Sequence, residues 1–175
     1  MIYFAPLDLQ NNDFALRVYE GAFPPCERRD FSLLQPLMEQ RQEFSFCVIC
    51  QQRENIGILS SWQFETFAYI EHFAILKELR TKGFGSDSLR LFMRQTTKPI
   101  IIEVEPAQTT QAKRRVAFYE RLGFSLLNVQ YKQPPYRKGE EFVPMNIMTD
   151  NPKYFSDNNF QKARATLYSQ VYGVK

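Results

Sequence analysis

Apolar positions along the chain change period several times, and each change marks an element. Residues 12–22, "NDFALRVYEGA", place Phe14, Val18 and Ala22 at helical spacing behind an Asn/Asp start, which predicts a helix. "FPPCERRD" breaks that pattern through two prolines, and "FSLLQPLMEQ" predicts a short second helix. The next stretch, "EFSFCVICQQRENIGILSSWQFETFAYIEHFAIL", predicts three strands at about 44–51, 56–64 and 67–76, with turns at the Gln-Arg-Glu-Asn cluster and the Glu-Thr pair. Strict alternation on the third would put Tyr69, Glu71 and Phe73 on one face and Ile70, His72 and Ala74 on the other.

Helical spacing returns in "SDSLRLFMRQ", with Leu89, Phe92 and Met93 on one side and Ser and Asp in the first turn. "KPIIIEVEP" is a short apolar run closed by Pro106, suited to a buried central strand. "TTQAKRRVAFYERLGF" carries Val116, Tyr119 and Leu122 on one face and ends at Gly123, as a left-handed helix cap requires. "FSLLNVQY" and "FVPMNIMT" predict two more strands joined by "KQPPYRKGEE", and 154–172 predicts an amphipathic helix. A strand meander followed by alternating elements predicts an α+β (mixed α/β) fold rather than a doubly wound parallel sheet.

Composition narrows the picture. The 175 residues suffice to bury one core without staples, and 16 Phe and 9 Tyr mark a globular chain. A formal net charge of +3 favours an anionic ligand slightly and does not predict a nucleic-acid binder. The N-terminus lacks the basic and long apolar regions of a secretory signal, and no apolar run reaches membrane-span length, so a soluble, cytoplasmic protein is expected. Cys26, Cys47 and Cys50 are too few and too odd for a disulfide framework, and one histidine, His72, leaves no zinc set. No metal is expected.

Two of the 7 glycines, Gly83 and Gly85, stand between a predicted strand and a predicted helix. Lacking Cβ, they let the backbone approach a ligand and take positive φ. The helix N-terminus behind them offers unpaired N–H groups and partial positive charge, a site suited to a pyrophosphate, with Arg80 and Lys82 adding charge. An ordinary strand-to-helix turn accounts for the same letters. No Gly-Lys-Ser/Thr follows, and Ser88 stands where a dinucleotide fingerprint has its third small residue.

Arg80-x-x-Gly83-x-Gly85 after "HFAILKEL" resembles the acetyl-CoA motif of the Gcn5-related N-acetyltransferases, the GNAT superfamily. "RRVAFYERLGF", about one strand and one turn later, resembles that family's second motif. The resemblance spans roughly 12–149 in element order and is strongest over 67–124. It departs at Ala112, where family members usually have Asn, and at Arg115, where a small residue is usual.

The resemblance implies a central mixed, mostly antiparallel sheet flanked by helices, with the fourth and fifth strands splayed. An acetyltransferase domain is expected over 1–150, with the aromatic-rich 151–175 a helical extension packed on it or at a homodimer interface. The edge Phe73, Ala74 and Ile75 would pair with the pantetheine arm of coenzyme A. Lys82, Gly83, Phe84, Gly85 and Ser86, with Arg80, would hold the pyrophosphate. Tyr119 would protonate the departing thiolate, although its place on an apolar stripe also fits core packing.

The resemblance implies a general base on the 67–76 strand or the next, which puts Glu71 first and Glu103 close behind, and burial in an apolar strand would raise such a carboxylate's pKa into a useful range. Glu103 and Glu105 at a solvated strand end would instead suit recognition of a cationic amine. His72 is expected to be structural, reaching the cleft only if the strand bulges. "KRR" at 113–115 reads as a solvated helix face or a phosphate contact. Tyr131 and Tyr136 are candidates to wall an acceptor pocket, and the resemblance implies a second acceptor-binding segment at residues 22–29. The expected activity is transfer of acetyl from acetyl-CoA to a small-molecule or peptide amine. Transfer of a longer acyl group, or a non-catalytic acyl-CoA sensor on the same fold, are the alternatives.

Overall fold

In the computed structural model, which describes residues 1–156 and 158–174, residue contacts divide the chain into two compact units, Met1–Lys98 and Pro99–Lys175. The first holds β1 (Ile2–Pro6), α1 (Asn12–Ala22), α2 (Leu34–Gln40), β2 (Phe44–Gln51), β3 (Glu54–Gln63), β4 (Ala68–Ile75) and α3 (Phe84–Gln95). Its strands form an antiparallel ladder in the order β1-β2-β3-β4. The period-2 run therefore folds as predicted, within two residues at each end. β1 escaped the sequence reading, because its five residues include exposed Tyr3 and show no clean alternation.

β4 is not a regular strand. Ser60 pairs with His72 and Ser61 with Ile70, so Glu71 is an extra residue between two consecutive pairs. A β-bulge of this kind inverts the alternation beyond it. His72 consequently shares a face with Ser60, and Phe73, opposite Leu59, falls on the other. The expected grouping of His72 with Ile70, and of Phe73 with Tyr69 and Glu71, is corrected by this single inserted residue.

The His72 face is covered by α1, whose Tyr19 ring meets Phe46 at 5.7 Å and His72 at 4.8 Å, both edge-on. α3 packs against β1 and β4 and buries Ser88, Leu89 and Phe92.

The second unit holds β5 (Ile100–Val104), α4 (Thr110–Glu120), β6 (Ser125–Leu126), β7 (Tyr131–Gln133), β8 (Val143–Thr149) and α5 (Asn158–Thr166), which runs into a π-helical turn at Leu167–Val171. β8 is antiparallel to β5, β6 and β7. The single strand expected over 124–131 is two short pieces. From Leu126 to Tyr131 is five steps, but their partners Met148 and Met145 are three apart, so two residues must loop out.

α4 is capped by Thr109, whose side chain accepts the Ala112 amide at 3.0 Å, and the chain turns off it at Gly123 with φ +92°. The tail helix expected from 154 begins at Asn158; position 157 within that range lies outside the described residues. Tyr168 Oη donates to the Lys132 carbonyl at 2.6 Å, which seats the tail on β7 of its own unit.

Candidate active site

After β4 the chain makes a 3-10 turn, Lys77–Leu79, and enters α3 through two residues in left-handed conformation, Thr81 (φ 67°) and Gly83 (φ 88°). A Cβ on Gly83 would meet nothing within 4 Å, so backbone angle and not crowding demands glycine there. Among the described residues no side chain caps this helix, and its first α-helical bond runs from Asp87 N–H to Gly83 O at 3.0 Å. The amides of Phe84, Gly85 and Ser86 precede that bond and have no intrahelical acceptor.

Gly85 lies inside the first turn of α3 rather than ahead of it. Arg80 folds back, its Nε donating to Ile75 O at 3.1 Å, while Lys82 is exposed. Phe73, Ala74 and Ile75 pair with Leu59, Ile58 and Gly57. β3 approaches so closely here that a Cβ on Gly57 would lie 2.3 Å from Ala74 O.

Glu71, the bulged residue, has partners of its own. Its side chain is fully buried, with Oε1 2.6 Å from Arg29 Nη2 and Oε2 accepting from Trp62 Nε1 at 2.8 Å. A charge this deep is tolerable only when paired. Next to it, His72 Nε2 lies 3.0 Å from the Glu27 carbonyl and Nδ1 3.0 Å from Ser60 Oγ. A carbonyl only accepts, so Nε2 carries the proton and Nδ1 takes the Ser60 hydroxyl. Burial lowers the His72 pKa, keeping the ring neutral. His72 is thus a satisfied structural histidine.

In the second unit Glu103 is part-exposed on β5 and is held by two phenols. Tyr131 donates to Oε1 at 2.5 Å and Tyr172, from the tail, to Oε2 at 2.8 Å. Burial, with Glu103 beside it, drives the Tyr131 pKa far up, so this phenol stays a donor. Tyr136 packs on Tyr172 with ring centroids 5.1 Å apart. Tyr119 is 7% exposed between Phe118 and Phe124, and burial pushes its pKa up to about 12. Glu105 is paired with Arg115 at 2.8 Å, while Lys113 and Arg114 are exposed.

Residues 73–86, expected to meet the cofactor, and Glu71 therefore belong to the first unit, and Glu103 and Tyr119 to the second. Sequence reasoning missed Arg29 and Trp62 as partners of Glu71, and Tyr172 as a partner of Glu103. One signal pointed to such partners. A carboxylate placed inside an apolar strand requires donors from elsewhere.

Among the described residues no group of three or more His, Cys, Asp or Glu could hold a metal ion, and no helix is long and apolar enough to cross a membrane.

A comparison with curated protein sequences returns no match. Among solved structures, a Bacteroides thetaiotaomicron protein assigned to the GNAT family as an acetyltransferase superposes with a TM-score of 0.90 at 34% identity, covering 99% of both chains. Two Arabidopsis thaliana structures share the fold at lower identity. Naa50, in complex with the bisubstrate analogue CoA-Ac-MVNAL, has a TM-score of 0.60 at 16% identity over 85% of this chain and 97% of its own. NAA60, in complex with acetyl-CoA, has 0.63 at 12% over 85% and 97%. The sequence model of the acetyltransferase (GNAT) family matches residues 9–124, two thirds of the chain, and the protein belongs to that family.

Proposed function

We propose that the protein transfers an acetyl group from acetyl-CoA to a primary amine by direct attack. The observation that carries this reading is the left-handed Gly83 turn opening an uncapped helix, inside a segment that matches the acetyltransferase family. A pyrophosphate fits such a helix start, because the amides of Lys82 to Ser86 lie where its charge is best stabilised. Backbone amides of Phe73–Ile75 would take the pantetheine arm. The complexes of related folds with the bisubstrate analogue CoA-Ac-MVNAL and with acetyl-CoA support the choice of co-substrate.

Tyr119 serves as the acid. A phenol whose pKa is near 12 stays protonated across working pH and can give its proton to a thiolate leaving group. Of the two glutamates, Glu103 suits the base better. It is part-exposed with neutral donors, whereas Glu71 is sealed and bound to a guanidinium. The acceptor is a small-molecule or peptide amine, and the reaction is cytoplasmic and needs no metal. The test is thiol release from acetyl-CoA over a panel of amines. Binding of coenzyme A without thiol release from any amine would leave a sensor of acyl-CoA and defeat the catalytic reading.

A further inference from the structure

Residues 23–31 are pinned to the β4 bulge at several points. Arg29 reaches Glu71 with its guanidinium and gives its backbone N–H to Tyr19 Oη at 3.1 Å. The Glu27 carbonyl takes the His72 Nε2 proton at 3.0 Å. Arg28 closes the loop on itself, Nε to Phe23 O at 3.1 Å and Nη1 to Glu20 at 3.1 Å. Its guanidinium also lies 5.8 Å from the Tyr19 ring centre, and that of Arg29 lies 5.8 Å from the Trp62 ring centre. Apart from two short 3-10 turns at Pro25–Glu27 and Phe31–Leu33 the segment has no regular structure, so these side-chain bonds set its path.

We infer that Glu71 is a positioning residue, acting through Arg29 to fix segment 23–31 as one wall of the acceptor site, and not the group that takes the proton. This rests on the acetyltransferase reading above. The chemistry favours it on two counts. The Glu71 side chain is fully buried and held by a cation, so accepting a proton would cost it the Arg29 ion pair, whereas the donors on Glu103 are neutral. Glu71, moreover, lies on the Trp62 side of the sheet, toward Arg29, and the bulge brings His72 to that same face. An extra residue in β4 thus has a use: it gives one short strand both His72 and Glu71 as anchors for the same loop.

The experiment compares Glu71→Gln, Arg29→Met and the double variant. Each single change is expected to raise the amine KM about tenfold and leave kcat within about threefold. The acidic limb of the pH profile should be kept, and the double variant should be no worse than either single one. Cleavage at Glu27 by a glutamate-specific protease should quicken about tenfold in all three, with coenzyme A affinity unchanged. A fall in kcat of about 10²-fold or more in Glu71→Gln alone, with the acidic limb lost and Glu27 cleavage unaltered, would overturn the inference and make Glu71 the base. Should Glu71→Gln not fold, Arg29→Met leaves the carboxylate in place and carries the same prediction. If the wild type transfers to no amine, the functional reading fails by itself, and Glu27 cleavage still decides whether the clamp exists.

Discussion

The Phe124 amide donates to the Tyr119 carbonyl at 3.1 Å, and the two rings meet edge-on with centroids 5.8 Å apart. One backbone bond and one ring contact therefore close α4 and fix the base of the Tyr119 side chain together. This is the helix-ending motif in which a left-handed residue, here Gly123, lets the chain fold back on its last turn. The hydrophobic contact across that turn explains why an aromatic follows the glycine. Tyr119→Phe keeps the ring and the closure and removes only the hydroxyl. We expect kcat to fall about 10²-fold with coenzyme A affinity and melting temperature unchanged. Equal turnover by the two proteins would remove Tyr119 from the chemistry.

Gly83 should prove intolerant for conformational reasons alone. With φ at 88° and no atom within 4 Å of where a Cβ would sit, Gly83→Ala meets strain without a clash. The left-handed penalty of about 1–2 kcal/mol should appear as lowered stability, or be relieved by a shift in the first turn of α3. In either case coenzyme A binding, measured by calorimetry, should weaken about tenfold. Unchanged affinity would mean the pyrophosphate is held elsewhere.

Most of the fold was legible because its signals are local. α1 falls on residues 12–22 as its periodic stretch behind an Asn/Asp start requires, and β2 on 44–51 as alternation requires. The glycine turn was legible for the same reason, since a left-handed residue at a helix start leaves a mark in one or two letters. What was not legible depends on partners far along the chain. Nothing local in "AYIEHFAI" distinguishes a regular strand from one with Glu71 bulged out, because the pairing that reveals it comes from Ser60 and Ser61. Arg29 and Glu71 are 42 residues apart, and Tyr172 and Glu103 are 69 apart. Side-chain pairs at that separation follow from the tertiary fold and leave no periodicity.

The phenols on Glu103 predict a measurable coupling. Tyr172→Phe and Tyr131→Phe each delete one hydroxyl from a carboxylate. A hydrogen bond to a charged group is worth about 1.5–3 kcal/mol, so each variant should lose stability on that order in urea unfolding, the buried Tyr131 losing more. Glu103→Gln removes the charge both phenols serve and should make the two losses smaller, since an amide accepts less strongly. Losses of the same size with and without the carboxylate would show that the rings matter and the hydroxyls do not.

His72 gives stability a pH dependence whose sign follows from burial. Its pKa is lowered from 6.5 in the folded protein, chiefly because the charged ring would lose water. Glu71 and the Glu27 carbonyl oppose the shift, and Arg29 and Arg28 reinforce it. Tyr19 and Phe23 close the ring in from α1 and the turn after it. As pH falls through about 6.5, the unfolded chain takes up a proton that the folded chain resists. The unfolded state then binds more protons, so stability drops with falling pH, by at most about 1.4 kcal/mol per unit. The drop ends once pH passes below the folded value, where both states are protonated. Above about 7 the term vanishes. Unfolding free energies at pH 7.5 and 5.5 should therefore differ more in the wild type than in His72→Gln, which cannot titrate. The same pH slope in both proteins would place the titrating group elsewhere.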